Sequence, residues 1–123
     1  MEPRKKILIA DDERGIVENL RDLLESKGFN TVYAYEGIRA IEVAHKEKPD
    51  LIILDLNMPA GTGQTVIQNL KSRNETKEIP ILVLSGMDEP HLKQKVVALG
   101  AKDFVPKPYD VEDLLGKIYD LVL

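Results

Sequence analysis

An α/β fold built on one parallel sheet is predicted from three observations. Short apolar runs, Lys6–Ala10, Leu51–Leu54 and Ile81–Leu84, recur along the chain without strict alternation. Segments with helical apolar spacing separate them, and the connections are only a few residues long. Continuous apolar runs bounded by polar residues suit strands covered on both faces. Strand–helix alternation with short connections implies parallel strands joined by right-handed crossovers, with helices on both sides of the sheet.

The elements follow in order. Lys6–Ala10 is the first strand and runs directly into Asp11 and Asp12. Ile16, Leu20, Leu23 and Leu24 then fall at helical spacing, and Gly28 supplies a stop. Thr31–Tyr35 alternates weakly and reads as a shorter strand, with Tyr33 and Tyr35 expected on opposite sides. Ile38, Ile41, Val43 and Ala44 mark a second helix, closed by Pro49 before the strand Asp50–Leu54, which runs into Asp55. Pro59, Gly61 and Gly63 make a loop, followed by a helix carrying Val66, Ile67 and Leu70. Pro80 opens the run Ile81–Leu84, which ends at Ser85-Gly86. Pro90 fits the first turn of a fourth helix, with Leu92, Val96, Val97 and Leu99 inward and Gly100 as its stop. Asp103–Val105 is a short fifth strand leading to Lys107-Pro108, and Val111, Leu114, Leu115, Ile118 and Leu121 line a last helix. With five strand–helix units and no linker, repeat or low-complexity tract, residues 1–123 read as one domain.

Composition narrows the function classes. The 123 residues, 43% hydrophobic and 31% charged, suit one soluble domain with a proper core. A net charge of −4 argues against direct nucleic-acid binding. The absence of cysteine excludes disulfides and thiolate chemistry. The basic start Met1–Lys6 leads to an apolar run too short for a signal peptide, and no stretch reaches transmembrane length. A cytoplasmic protein without membrane contact is the expectation.

Ligands in open parallel sheets collect at the carboxyl ends of the strands. If the strands that end there are neighbours, Asp11, Asp12, Asp55 and Lys107 converge on one small patch. Carboxylates packed together repel one another unless a cation relieves them, and magnesium suits a site with few protein carboxylates and several waters. Each residue also has a plainer reading: Asp12 as a helix cap, Asp55 and Ser85 as turn residues, Lys107 as a solvated lysine. Coincidence defeats those readings together, because all four would have to be accidental, each at the right strand end.

Four matches in order, Asp11-Asp12, then Asp55-Leu56-Asn57-Met58-Pro59 with Gly63, then Ser85-Gly86, then Lys107-Pro108, carry a family likeness. From end to end the chain resembles a response-regulator receiver domain, the chemotaxis-receiver-like phosphoacceptor module of two-component signalling. The resemblance implies a flavodoxin-like (βα)5 sheet of order 2-1-3-4-5. It implies that Asp55 takes a phosphoryl group from the phosphohistidine of a sensor histidine kinase or phosphotransfer protein. It implies magnesium, with manganese able to substitute, held by Asp12, Asp55 and the Asn57 backbone carbonyl, with Asp11 acting through water. Lys107 and Ser85 would contact the phosphoryl group, Phe104 would be the switch aromatic, and the bond to Pro108 would be cis. Asn57 and Met87, two residues after the phosphoacceptor and after Ser85, would modulate the lifetime of the phosphorylated form. Such a protein is no conventional enzyme: it catalyses its own phosphorylation and dephosphorylation, and switches the surface of helix four, strand five and helix five. The reader of that surface would be an output partner or a fused output domain; the sequence read alone is either a single-domain regulator or a piece of a larger one.

Three alternatives stand beside this. A flavodoxin-like cofactor-binding electron carrier would want a Ser/Thr/Gly-rich phosphate loop where this chain has Asp11-Asp12-Glu13-Arg14. An aspartate-nucleophile phosphatase would want its two acids separated by one residue. A non-phosphorylated docking receiver would not need every phosphorylation position filled. Among the remaining residues, His45 and His91 are read as solvated, Lys93, Lys95 and Lys102 as a basic solvated rim. Lys117 matches only part of the basic pattern by which some receivers dimerise through helix five.

Overall fold

The computed structural model describes residues 4–60, 62–87 and 89–123. The readings of Met1–Pro3 and of Gly61 as a loop residue lie outside them. Ten elements alternate: β1 (Lys6–Ala10), α1 (Arg14–Ser26), β2 (Asn30–Ala34), α2 (Gly37–Glu47), β3 (Leu51–Asp55), α3 (Gly63–Lys71), β4 (Ile81–Ser85), α4 (Leu92–Leu99), β5 (Asp103–Pro106) and α5 (Val111–Val122). The strands form one parallel sheet in the order β2-β1-β3-β4-β5.

Strand period two divides the apolar runs between two cores. Leu8, Ala10, Ile52, Leu54, Ile81 and Val83 pack with α2, α3 and α4, while Ile7, Ile9, Leu51, Ile53, Leu82 and Leu84 pack with α1 and α5. This two-sided burial explains why β1, β3 and β4 read as continuous apolar runs. β1 sits between β2 and β3, so Asp11 and Asp12 leave the sheet beside the end of β3, where Asp55 stands. The ladders run on past the strands: Asp11 N–H donates to Ala34 O at 3.1 Å, and Lys107 N–H donates to Ser85 O at 2.9 Å. Backbone bonds thus seat both the first acid and the lysine.

The loop after Asp55 is held from two sides. Gly37 and Ile38, at the start of α2, donate to Pro59 O at 3.0 Å and Ala60 O at 2.8 Å. Gly63 N–H donates to Leu56 O at 3.0 Å, and the Thr62 side chain accepts from Thr65 N–H, capping α3. Asp110 caps α5 through Oδ1, with Glu112 N–H at 2.8 Å and Asp113 N–H at 3.2 Å, immediately after the Lys107 loop.

Five expectations need correction. Tyr33, in β2, and Tyr35, just past its end, lie side by side with ring centroids 5.2 Å apart, as the two-residue period of a strand dictates. Arg14 stacks over Tyr35 at 4.0 Å and Arg21 over Tyr33 at 4.6 Å, shielding part of this edge strand. Val97 is 44% exposed, since its helical neighbour Val96 takes the inward position and successive residues turn about 100° apart. Ile38 is 60% exposed: α2 presents Gly37, Ala40, Val43 and Ala44 to the sheet instead. Pro90 precedes α4, which starts at Leu92 after His91 in a left-handed conformation. His45 is half-buried, with Nε2 enclosed and lacking a hydrogen-bond partner among the described residues.

Gly63 is the position where shape constrains the site most tightly. A Cβ there would lie 2.5 Å from Leu56 Cα and 2.9 Å from Asp55 O, both backbone atoms. Gly63→Ala is therefore expected to push the Asp55 loop off α3 and cost roughly 1–3 kcal/mol, as overpacking typically does. Urea unfolding measures it, and a midpoint unchanged from wild type would show that the loop yields freely.

Candidate functional site

At the carboxyl edge of the sheet, oxygens of Asp11, Asp12 and Asp55 all lie within 4.8 Å of one another. Asp11 and Asp55 are buried and Asp12 is exposed. Lys107 reaches into this cluster: its Nζ is 2.8 Å from Asp11 Oδ2, 3.7 Å from Asp55 Oδ2 and 3.5 Å from Glu13 Oε1. The Lys107–Pro108 bond is cis. A cleft of about 340 Å³ opens over the cluster, lined by Asp12, Glu13, Asp55, Asn57, Gly86, Met87 and Lys107.

Local bonding assigns the oxygens. Asp11 Oδ1 accepts from Glu13 N–H at 2.9 Å while Oδ2 takes the lysine, so both Asp11 oxygens are engaged within the chain. Asp55 Oδ1 accepts from Asn57 N–H at 3.3 Å, leaving Oδ2 facing Lys107 at longer range. Asp12 does not cap α1: the capping position is Glu13, and no side-chain cap bond is made there. Its exposed carboxylate lies in the cleft wall instead.

Burial, then the Asp11 charge, raises the Asp55 pKa from an ordinary 3.8 to about 6, against the opposing Asn57 N–H and Lys107. Burial works against the Lys107 ammonium, yet the hydrogen bond and charge of Asp11, with Asp55 and Glu13 behind it, outweigh that and raise its pKa above the usual lysine value. The acid at the end of β3 is thus poorly compensated while the lysine is firmly charged.

The donor set fits a hard divalent cation. All its side-chain donors are carboxylate oxygens, they lie within 4.8 Å of one another, and burial, with the Asp11 charge behind it, shifts Asp55 toward protonation. Asp12 and Asp55 offer oxygens toward the cleft.

The remaining sequence candidates fall in two groups. Asn57 and Met87 line the cleft, and Met87 is 43% exposed. Ser85 is buried and outside the lining, with its Oγ accepting from Met87 N–H at 3.1 Å. Phe104 is half-buried and packs on the α2–α3–α4 face, its backbone N–H donating to Asp103 Oδ1 at 2.8 Å. Two features escaped the sequence reading: Asp11 as the partner of Lys107, 96 residues away, and Glu13 as a third acid beside that lysine. An acid directly following the Asp pair was the available signal for Glu13.

Fold and site together define a doubly wound α/β domain with a lysine-closed acidic cleft at its strand ends. Residues 7–119 match the family model "Response regulator receiver domain", and the chain belongs to that family, whose members are the receiver domains of two-component response regulators. Response regulator MprA of Mycobacterium ulcerans (strain Agy99) is 34% identical over 117 residues, which cover 95% of this chain and 50% of that protein. The Mycobacterium leprae (strain TN) MprA is 35% identical over 117 residues, with the same coverage. The chain spans about half the length of these curated relatives. Among solved structures, the chemotaxis response regulator CheY4 of Vibrio cholerae superposes with a TM-score of 0.89 at 31% identity, covering 97% of this chain and 99% of that one. The BeF3-activated N-terminal receiver domain of Klebsiella pneumoniae RstA has a TM-score of 0.89 at 26% identity, covering 96% and 98%.

The raised Asp55 pKa has a sign that stability can read. Between its unfolded value and about 6 the folded chain binds the proton more strongly than the unfolded one, so this residue's contribution to stability falls as pH rises through that window. Without divalent cations, wild type should lose about 2 kcal/mol relative to Asp55→Asn between pH 4 and pH 7. Chemical denaturation at both pH values gives the difference; one that does not change with pH would rule out a strained Asp55 carboxylate.

Proposed function

We propose that the chain, as a single receiver domain over residues 1–123, is a phosphorylation-controlled switch whose phosphoacceptor is Asp55. The observation that carries this is the buried Asp55 carboxylate, at the floor of an open cleft and 3.7 Å from Lys107. At neutral pH, above its raised pKa, Asp55 is largely ionised and nucleophilic. A carboxylate oxygen of Asp55 forms the new bond to phosphorus, the donor's phosphohistidine P–N bond breaks, and an acyl phosphate results.

Lys107 moves from Asp11 toward the transferred phosphoryl oxygens, acting as a compact, flexibly placed point charge. Ser85 gives up its bond from Met87 N–H and donates its hydroxyl to the same group. Magnesium, or manganese in its place, is held by Asp12, Asp55 and the Asn57 carbonyl. Asp11 acts through water, in keeping with the engagement of both its oxygens by Lys107 and Glu13 N–H. When bound, such an ion supplies neutralisation of the charge that gathers on the transferring group. Asn57 and Met87, at the cleft wall, govern the approach of hydrolytic water: Asn57 can hydrogen-bond it and the apolar Met87 can cover the site.

Inward movement of Ser85 lets Phe104 shift, which biases the α4–β5–α5 surface between two states. An output partner or a fused output domain reads that surface; a sensor histidine kinase or phosphotransfer protein supplies the phosphoryl group. The domain itself touches neither nucleic acid nor membrane and works in the cytoplasm, a reading supported by its membership of the receiver-domain family.

Incubation with magnesium and phosphoramidate should add one phosphoryl mass to wild type and none to Asp55→Asn. Uptake by Asp55→Asn at the wild-type rate would overturn the assignment. Magnesium should raise the melting temperature of wild type and leave Asp12→Ala nearly unmoved.

Lys107→Ala should accept the phosphoryl group more slowly and then fail to propagate it. Amide spectra before and after donor addition check this, with the residues of α4 and β5 shifting in wild type and staying in place in the variant.

A further inference from the structure

We infer that Glu13 biases the cleft toward less negative phosphodonors, by adding a negative charge at its mouth that Lys107, committed to Asp11, compensates only in part. The inference rests on the phosphoacceptor reading of Asp55. Glu13 lines the acidic cleft and also the adjoining groove formed with Ile16, Pro108 and Tyr109, so a donor entering from either side passes it. Its backbone is fixed, with N–H donating to Asp11 Oδ1 at 2.9 Å and O accepting from Val17 N–H at 3.1 Å. Its carboxylate has no role in the helix, because the capping position it occupies makes no side-chain cap bond. That carboxylate is 62% exposed and stands 3.5 Å from Lys107 Nζ, which is already committed to Asp11 at 2.8 Å.

The charges around the cleft do not balance. Asp11, Asp12, Glu13 and Asp55 face the single ammonium of Lys107, and a bound divalent cation still leaves one negative charge in excess. Of the four acids, Glu13 alone lies outside the carboxylate cluster, so its charge burdens the incoming donor without helping to hold a cation. Exposed charges steer approaching ions in proportion to the ions' own charge, and salt screens the effect.

Two small donors differ in the relevant way. Phosphoramidate carries a protonated nitrogen and is about one unit less negative than the acetyl phosphate dianion. Each reacts by forming an O–P bond to Asp55. Phosphoramidate breaks its P–N bond and releases the already protonated nitrogen as ammonia; acetyl phosphate breaks a P–O bond and releases acetate. Phosphohistidine resembles the first donor in having a P–N bond. Glu13 therefore tilts the site toward the less negative donor, phosphoramidate, and away from the acetyl phosphate dianion.

The test is the ratio of initial phosphorylation rates with the two donors, followed by intact mass at saturating magnesium. Both donors use the same Asp55 and the same cation, so a change in metal affinity or fold cancels in the ratio. Glu13→Gln should raise the acetyl phosphate rate about threefold relative to the phosphoramidate rate at low ionic strength, an effect in keeping with one exposed charge at close range. The gain should shrink toward unity in high salt. Glu13→Asp, which keeps the charge, should keep the wild-type ratio.

A Glu13→Gln ratio equal to wild type at low salt overturns the inference while leaving Asp55 as phosphoacceptor. So does a Glu13→Asp ratio that moves with that of Glu13→Gln. A wild type that takes no phosphoryl group from either donor overturns both readings.

Discussion

The structure around the cleft depends on one electrostatic arrangement: two buried carboxylates at adjacent strand ends, bridged by a lysine that follows β5, two strands beyond β3. Asp11 and Asp55 are both buried, and Lys107 contacts the first at 2.8 Å and the second only at 3.7 Å. One ammonium cannot satisfy both at hydrogen-bonding distance, so Asp55 remains the less compensated acid. An unpaired buried charge is costly, and the rise of its pKa to about 6 expresses that cost. Any added positive charge near Asp55, or any covalent group that draws Lys107 across, relieves the imbalance. The proposed switch uses this instability of the unmodified state.

The parallel sheet is what makes the arrangement possible. Right-handed crossovers bring β1 and β3 side by side, although α1, β2 and α2 lie between them in the chain. Each strand then ends at the same edge, and residues at those ends need no long loops to converge. Backbone bonds beyond the strands, Asp11 N–H to Ala34 O and Lys107 N–H to Ser85 O, extend the rigid sheet up to the acidic cluster and its lysine. Precise placement on rigid elements is what a reaction dominated by positioning and charge stabilisation demands.

Much of this was legible in the sequence, for a physical reason. A two-sided core forces continuous apolar strands, so β1, β3 and β4 announce themselves, and the polar residue that ends each run marks the site edge. Tertiary pairing leaves no such trace: nothing local tells that Lys107 settles on Asp11, or that Glu13 turns its carboxylate toward the same ammonium. The weakly patterned elements misled for a related reason. In α4 the adjacent pair Val96-Val97 cannot both face the sheet, and only packing selects Val96. At β2 the error lay in the alternation itself, since Tyr33 and Tyr35, two residues apart, lie side by side, where Arg14 and Arg21 cover them.

The route from the cleft to the distant face of the sheet follows from the same geometry. Ser85 pairs with Pro106 in the β4–β5 register, and Val83 pairs with Phe104, so the hydroxyl and the aromatic ring lie on neighbouring strands two residues apart. Ser85 is tied to the cleft rim through Met87 N–H, whereas Phe104 is half-buried against the core beneath α4. In the proposed switch, a movement of Ser85 toward a phosphoryl group in the cleft would free the Met87 amide and open space next to β5. Phe104, having no hydroxyl to satisfy, would enter that space without stranding a polar atom. The proposed signal would then need no long chain of intermediates, because one strand pair already joins the charged edge to the β5 side of the sheet.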